Sequence, residues 1–279
     1  MKSRDILIYL AVRFDANWDE IYRHICAKDL EYDEEEVMST VRSIKSKVVT
    51  ALDKDFPLLL KSCFKMPFVL FYYGDLDLIR DREKIVAVVG SRNPSSYGSS
   101  KGFEITRDIA KEYIIISGLA KGIDATAHQA AISARGKTIA VLGSGIDYCY
   151  PSENKRLYEY IKENGLVISE HANMYPPAPE NFPLRNRIIA HVAKYLFVPE
   201  AKYRSGSQIT VGFASNTCDL IFALPHHAGE DSFCNEIIRL GACMIENGED
   251  FYQEVEIAKG KRNEVIESDE KICDAIKDY

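Results

Sequence analysis

From Ile85 onward the chain alternates short apolar runs with amphipathic stretches, and this alternation restricts the fold more than any other feature. The runs are IVAVV (85–89), YIIIS (113–117), TIAVL (138–142), LVIS (166–169), YLFV (195–198) and LIFAL (220–224). Apolar runs of this length suit strands covered on both faces. Ser, Gly or Asp stand where the intervening helices start, and Gly136 and Gly165 stand where two of them stop. Strand–helix alternation sustained over about 165 residues predicts an α/β domain with a doubly wound, mostly parallel sheet over 85–250.

The preceding segment reads differently. Ile6, Leu7, Leu10 and Phe14 share a helical face, as do Trp18, Ile21, Tyr22 and Ile25. Val37, Val41, Ile44 and Val48 form a third stripe behind the acidic run Asp33 to Glu36, which suits a helix N-terminus. Residues 1–66 are therefore expected to be a small all-helical domain, with 67–84 as a connector. Residues 251–279 hold eight acids and five bases and few apolar anchors, which predicts a short helix or a disordered tail.

Net charge is −7, which excludes a globally basic nucleic-acid coat but not a local basic groove. The seven cysteines are odd in number and show no CxxC spacing, so reduced thiols in a cytoplasmic protein are expected. The N-terminus has no signal-peptide pattern, and no apolar run approaches the roughly 18 residues of a membrane span.

In an open parallel sheet, ligands bind beyond the carboxyl ends of the strands. Here those ends read Gly90-Ser91-Arg92, Ser117-Gly118 through Lys121-Gly122 to Asp124, Gly143-Ser144-Gly145, Ser169-Glu170, and Glu200 followed by Ser205-Gly206-Ser207 and Thr210. Small residues before a helix let an anion approach backbone N–H groups and the positive end of the helix dipole. Arg92, Lys121, and Arg185 and Arg187 flanking Asn186 supply cations at the same predicted edge. A phosphodiester-binding surface is the reading that follows.

Other chemistries fit less well. Tyr148 stands where the third glycine of a dinucleotide fingerprint belongs, and no GxxxxGK[ST] occurs. Ser117 or Ser205 with His128 as base lacks a GxSxG elbow. Asp124 reads as an N-cap, and Glu170 and Glu200 as carboxylates orienting Arg185 and Arg187. The spacing of Cys218, His226, His227 and Cys234 fits no standard zinc site, and no cofactor is expected.

Six motifs in order make the pattern specific: GSR (90–92), SGLAKGIDATAH (117–128), GSGIDYCYP (143–151), SE (169–170), FPLRNRIIA (182–190) and EAKYRSGSQIT (200–210), led by FPLLLKSCFKMPFVLFYYGDLDLI (56–79). Together they resemble the DNA-processing protein A (DprA/Smf) family. The resemblance implies a Rossmann-like domain behind a small SAM-like helical domain. It also implies single-stranded DNA binding, homodimers and transfer of DNA to the RecA recombinase in natural transformation, without catalytic activity. The implied DNA contacts are Ser91, Arg92, Ser117, Gly118, Lys121, Gly122, Arg185, Asn186, Arg187, Ser205, Gly206, Ser207 and Thr210. Pro225-His226 and Cys234 depart from the family's usual glycines. The 29 residues after Asp250 are too few for the winged-helix domain of many members. The alternative is a nucleotide-processing phosphoribohydrolase on a related fold, but its PGGxGTxxE segment is missing here.

Overall fold

The computed structural model describes residues 2–27 and 32–261. Three helices open the chain: α1 (Ser3–Arg13), α2 (Trp18–Ala27) and α3 (Glu34–Ser43). Two strands follow, β1 (Lys47–Thr50) and β2 (Val69–Gly74). The alternating region supplies β3 (Ile85–Val88), α4 (Ser96–Ile109), β4 (Ile114–Ser117), α5 (Ile123–Ser133), β5 (Thr138–Leu142), α6 (Lys155–Asn164) and β6 (Leu166–Ser169). It continues with α7 (Asn181–Val192), β7 (Tyr195–Val198), α8 (Gly206–Ala214), β8 (Leu220–Ala223), α9 (Phe233–Arg239) and β9 (Cys243–Met244). Residues 248–261 are helical, and the rest of the predicted tail lies outside the described residues.

All nine strands join one sheet in the order β1-β2-β6-β5-β4-β3-β7-β8-β9. Pairing is parallel from β6 to β9, and antiparallel where β2 meets β1 and β6. From β3 the chain steps outward through β4, β5 and β6, then returns to place β7 on the other side of β3. The connections after β3 and β7 therefore leave in opposite directions, and a crevice opens between their carboxyl ends.

Alternation along the strands fills two layers. Ile85 and Ala87 pack with Ile188, Ile189 and Val192 of α7 and Val211 of α8. Val86 and Val88 face Ile105 and Ile109 of α4 and Phe251 and Val255 of the last helix. The tail thus has stronger anchors than its composition suggests. The Phe251 ring is fully buried, with centroids 4.7 Å from Phe222, 5.4 Å from Tyr113 and 5.8 Å from Tyr195.

Two expectations change. The third helical stripe ends at Ser43, and Val48 lies in β1, where the β-branched run Val48-Val49-Thr50 pairs with Val69-Leu70-Phe71. The stretch read as a connector contains β2, which is flanked by strands on both sides, with Leu70 and Phe71 fully buried. The first helices therefore rest on the sheet itself: Leu7, Leu10, Ile21 and Val37 form one cluster with Phe71, Val167 and Tyr158.

Replacing Phe251 by Ala should destabilise the fold by roughly 3–5 kcal/mol, because the ring leaves a cavity lined by aromatics that cannot collapse into it. Chemical denaturation of the two proteins measures this difference.

Candidate functional site

The crevice between β3 and β7 holds a cleft of about 440 Å³. The turn after β3 (Ser91, Arg92, Asn93), the N-terminal end of α7 (Phe182, Arg185, Asn186) and the N-terminal end of α8 (Ser205, Gly206, Ser207, Thr210) line it, together with Asp124 and Lys202. A smaller neighbouring hollow of about 70 Å³ adds Gly118, Lys121 and Tyr150 around the same Arg92 and Phe182.

Arg185 forms the floor. Its guanidinium donates to the Gly118 carbonyl at 2.6 Å and to the Val141 carbonyl, tying α7 to the ends of β4 and β5. Gly118 is required here, since a Cβ would come within 2.4 Å of that guanidinium. Asp124 is the compensating charge. It sits inside α5 rather than at its cap, which is Gly122, and its carboxylate accepts from the Ala120 N–H at 3.4 Å. Burial raises the Asp124 pKa although Arg185 opposes the shift, and burial lowers the Arg185 pKa to about 10. Asp124 and Arg185 thus answer each other's charge beneath the cleft.

The loop over this floor is strained and tightly held. Leu119 adopts φ 58° and Gly122 φ 75°. A Cβ at Gly122 would strike the Ser91 carbonyl at 2.3 Å. The Asn154 side-chain amide donates to the carbonyls of Leu119 (2.9 Å) and Ala120 (3.2 Å), and the Ile123 N–H bonds Ser91 at 3.0 Å. These contacts over-determine a conformation that L-residues disfavour.

Arg92 is exposed, its guanidinium 5.4 Å from the Phe182 ring centroid. Across the cleft, Ser205 caps α8 in extended geometry but gives no side-chain cap bond, and its enclosed hydroxyl makes no hydrogen bond among the described residues. A Cβ at Gly206 would meet nothing within 4 Å, so the start of α8 borders open space on that side. Cations, a helix N-terminus and an unused hydroxyl converge here, which is the donor set that a phosphate oxygen satisfies.

Two of the expected contacts, Ser117 and Arg187, lie elsewhere, and two others are engaged where they stand. Ser117 is fully buried and donates to the Val88 carbonyl at 2.6 Å. Arg187 is 1% exposed and faces away from the cleft. It pairs with both Glu170 oxygens at 2.7 Å and donates to the carbonyls of Phe64, Lys65 and Leu184. Burial alone would depress its pKa, but Glu170 outweighs burial and holds it raised. Glu170 thus orients Arg187, whereas Glu200 has a different task. It accepts from the Ser95 N–H and hydroxyl at the start of α4, and Arg185 answers to Asp124 instead. Lys121 is exposed and paired with Glu153. Thr210 is buried in the cleft wall, its hydroxyl 3.4 Å from the Gly206 carbonyl.

His128 cannot serve Ser117 or Ser205 as a base, because its Nδ1 meets the Thr138 hydroxyl at 2.6 Å in full burial. The departures from the family's glycines are absorbed. The His226 backbone exchanges two 2.9 Å bonds with the Asn235 side chain, and Cys234 fills buried space beside Val198. Lys202 escaped the sequence reading; its place directly after the fifth apolar run was the available signal.

Two outcomes follow from these burials. Glu170→Ala leaves the Arg187 guanidinium buried and unpaired, and should cost roughly 3–5 kcal/mol in denaturant unfolding. Burial depresses the His128 pKa to about 3. Its folded-state pKa is below the unfolded one, so the unfolded state takes up the proton first and stability falls as pH drops below about 6.5. Wild-type protein should therefore lose about 2 kcal/mol from this residue between pH 7 and pH 5, a loss that His128→Asn should not share when unfolding is compared at both pH values.

Known proteins share this sequence pattern and fold. The family described as DNA recombination-mediator protein A matches residues 47–256. DNA processing protein DprA of Streptococcus pneumoniae is 42% identical over 207 residues, 74% of this chain and 73% of that protein. The Bacillus subtilis protein of the same name is 35% identical over 225 residues, 78% and 74% of the respective chains. The X-ray structure of the S. pneumoniae protein superposes with a TM-score of 0.72 at 34% identity, covering 91% of this chain and 93% of that one. DNA processing protein A of Helicobacter pylori, whose structure is described as showing a unique single-stranded DNA binding mode, superposes with a TM-score of 0.67 at 28% identity over 76% and 96% of the two chains. The chain belongs to the DNA recombination-mediator protein A (DprA/Smf) family.

Proposed function

We propose that this chain binds single-stranded DNA through the β3/β7 cleft and acts as a recombination mediator. One observation carries the reading: the unpartnered Ser205 hydroxyl and the open N-terminus of α8 lie in the same cleft as Arg92, Arg185 and Lys202. Backbone amides, hydroxyls and guanidinium groups hold a phosphodiester without reading its bases. The narrow cleft and the chain's net negative charge suit a short, local grip on the backbone.

Family membership supports the finer parts of the proposal. The protein works in the cytoplasm as a homodimer, shields incoming single strands and passes them to the RecA recombinase. We read it as a binding protein rather than an enzyme; the Ser117 hydroxyl is spent on the Val88 carbonyl, and His128 lies buried with its Nδ1 on the Thr138 hydroxyl.

Affinity for oligonucleotides should fall linearly with salt on logarithmic axes, as phosphate contacts release counterions. Arg92→Ala should weaken binding about tenfold, similarly for different sequences, and reduce the salt slope by about 1. Fluorescence anisotropy across a salt series checks both. Unchanged affinity in this variant would remove the cleft from the DNA path. Release of free base from nucleoside monophosphates would replace the reading with the phosphoribohydrolase one.

A further inference from the structure

Beside the cleft, where the lead-in segment meets α8, lies an apolar ledge whose inner member, Phe213, packs on the core and whose outer part is exposed. Phe64 is 61% exposed and stacks on Phe213 of α8, with ring centroids 6.4 Å apart and planes 29° apart. One turn back along α8, Ile209 is 42% exposed, and Gly212 leaves the face between the two flat. Ile209 and Phe213 stand four residues apart and so share a face. That face begins next to the phosphate-binding end of the same helix.

Charge says what covers the ledge. Residues 56–74 and 201–218 contain no Asp or Glu. On a chain with 42 acids against 35 bases, two such tracts meet at one surface. Lys61 is exposed beside Phe64, and Lys65 on its other side pairs with Asp19 and lies over the Trp18 ring. Lys202 and Arg204 are exposed just before α8. A docking protein needs apolar area but has no need of two acid-free tracts that bring Lys61, Lys202 and Arg204 to its edge, where the Asp19 carboxylate is held by Lys65. Polyanionic single strands need both, because unstacked bases settle on aromatic faces while cations track the backbone.

We infer that the Phe64–Phe213 ledge, with Lys61, is a second single-stranded DNA contact, receiving bases of the strand that leaves the cleft along α8. The inference rests on the cleft reading above and extends its path. Arg187 fixes the ledge relative to the cleft: from α7 it bonds the carbonyls of Phe64 and Lys65, so the lead-in segment and the α7–α8 pair move as one body.

The test compares oligothymidylates of about 6 and about 20 nucleotides, shorter and longer than one cleft can hold. Phe64→Ala and Lys61→Glu should each weaken binding of the long strand about tenfold while changing the short one less than twofold. Phe64→Trp should keep the wild-type affinity. The effect of Phe64→Ala should vanish on a long abasic strand, which has phosphates but no bases. Phe64 is exposed, so unchanged thermal unfolding verifies the fold of each variant. Long-strand affinity of Phe64→Ala within twofold of wild type overturns the inference. So does a changed sedimentation coefficient without DNA combined with unchanged affinity, which would make the ledge a protein contact. Failure of the cleft reading shows separately, as undiminished binding of both lengths by Arg92→Ala.

Discussion

The site depends on one buried guanidinium. Arg185 lies under the carboxyl edge of the sheet and bonds the carbonyls that end β4 and β5. A charge so placed is costly unless its surroundings are shaped around it. Asp124 in α5, the glycine at 118 and the left-handed turn at Leu119 are that surround. The cation therefore fixes the loop that roofs it, and Asp124 answers its charge from below the cleft.

A second arginine two residues later does different work with the same chemistry. Arg187 faces the opposite direction from α7 and is saturated by Glu170 and three backbone carbonyls. Within one helix, an arginine under the site and an arginine locking the lead-in segment hold the binding edge to the β2 side of the fold. The β1–β2 pair is part of this frame, since β2 adds directly to β6, the strand that leads into Glu170. The helical start of the chain thus rests on an extension of the same sheet.

The sequence made the six central strands readable within about a residue, because strands buried on both faces must be apolar throughout. β1 and β2 were hidden for opposite reasons. β1 is four residues long and continues a helical spacing from Val37, while β2 follows Pro57 and Pro67 in a stretch that resembled a link. The two-residue β9 leaves no periodic signal. At the site, the small residues at strand ends and the cations near them were legible from spacing alone. What spacing could not show was which polar groups were already satisfied. The partner of Ser117 is 29 residues away, and the Phe64 carbonyl that binds Arg187 is 123 residues away. Asp124 looked like a cap because a carboxylate early in a helix usually is one; the buried Arg185 that gives it another role lies 61 positions further on.

The central claim is that single-stranded DNA occupies the cleft between the β3 and β7 ends. Amide hydrogen exchange with and without a saturating oligonucleotide tests it most directly, because the first two amides of α8 have no partners within the helix, whereas the Gln208 N–H already bonds the Ser205 carbonyl at 3.1 Å. The account predicts slowed exchange at Gly206 and Ser207 and at Arg92 in the turn after β3. Bound DNA that leaves these amides unchanged and protects only residues at the β8–β9 edge would contradict it.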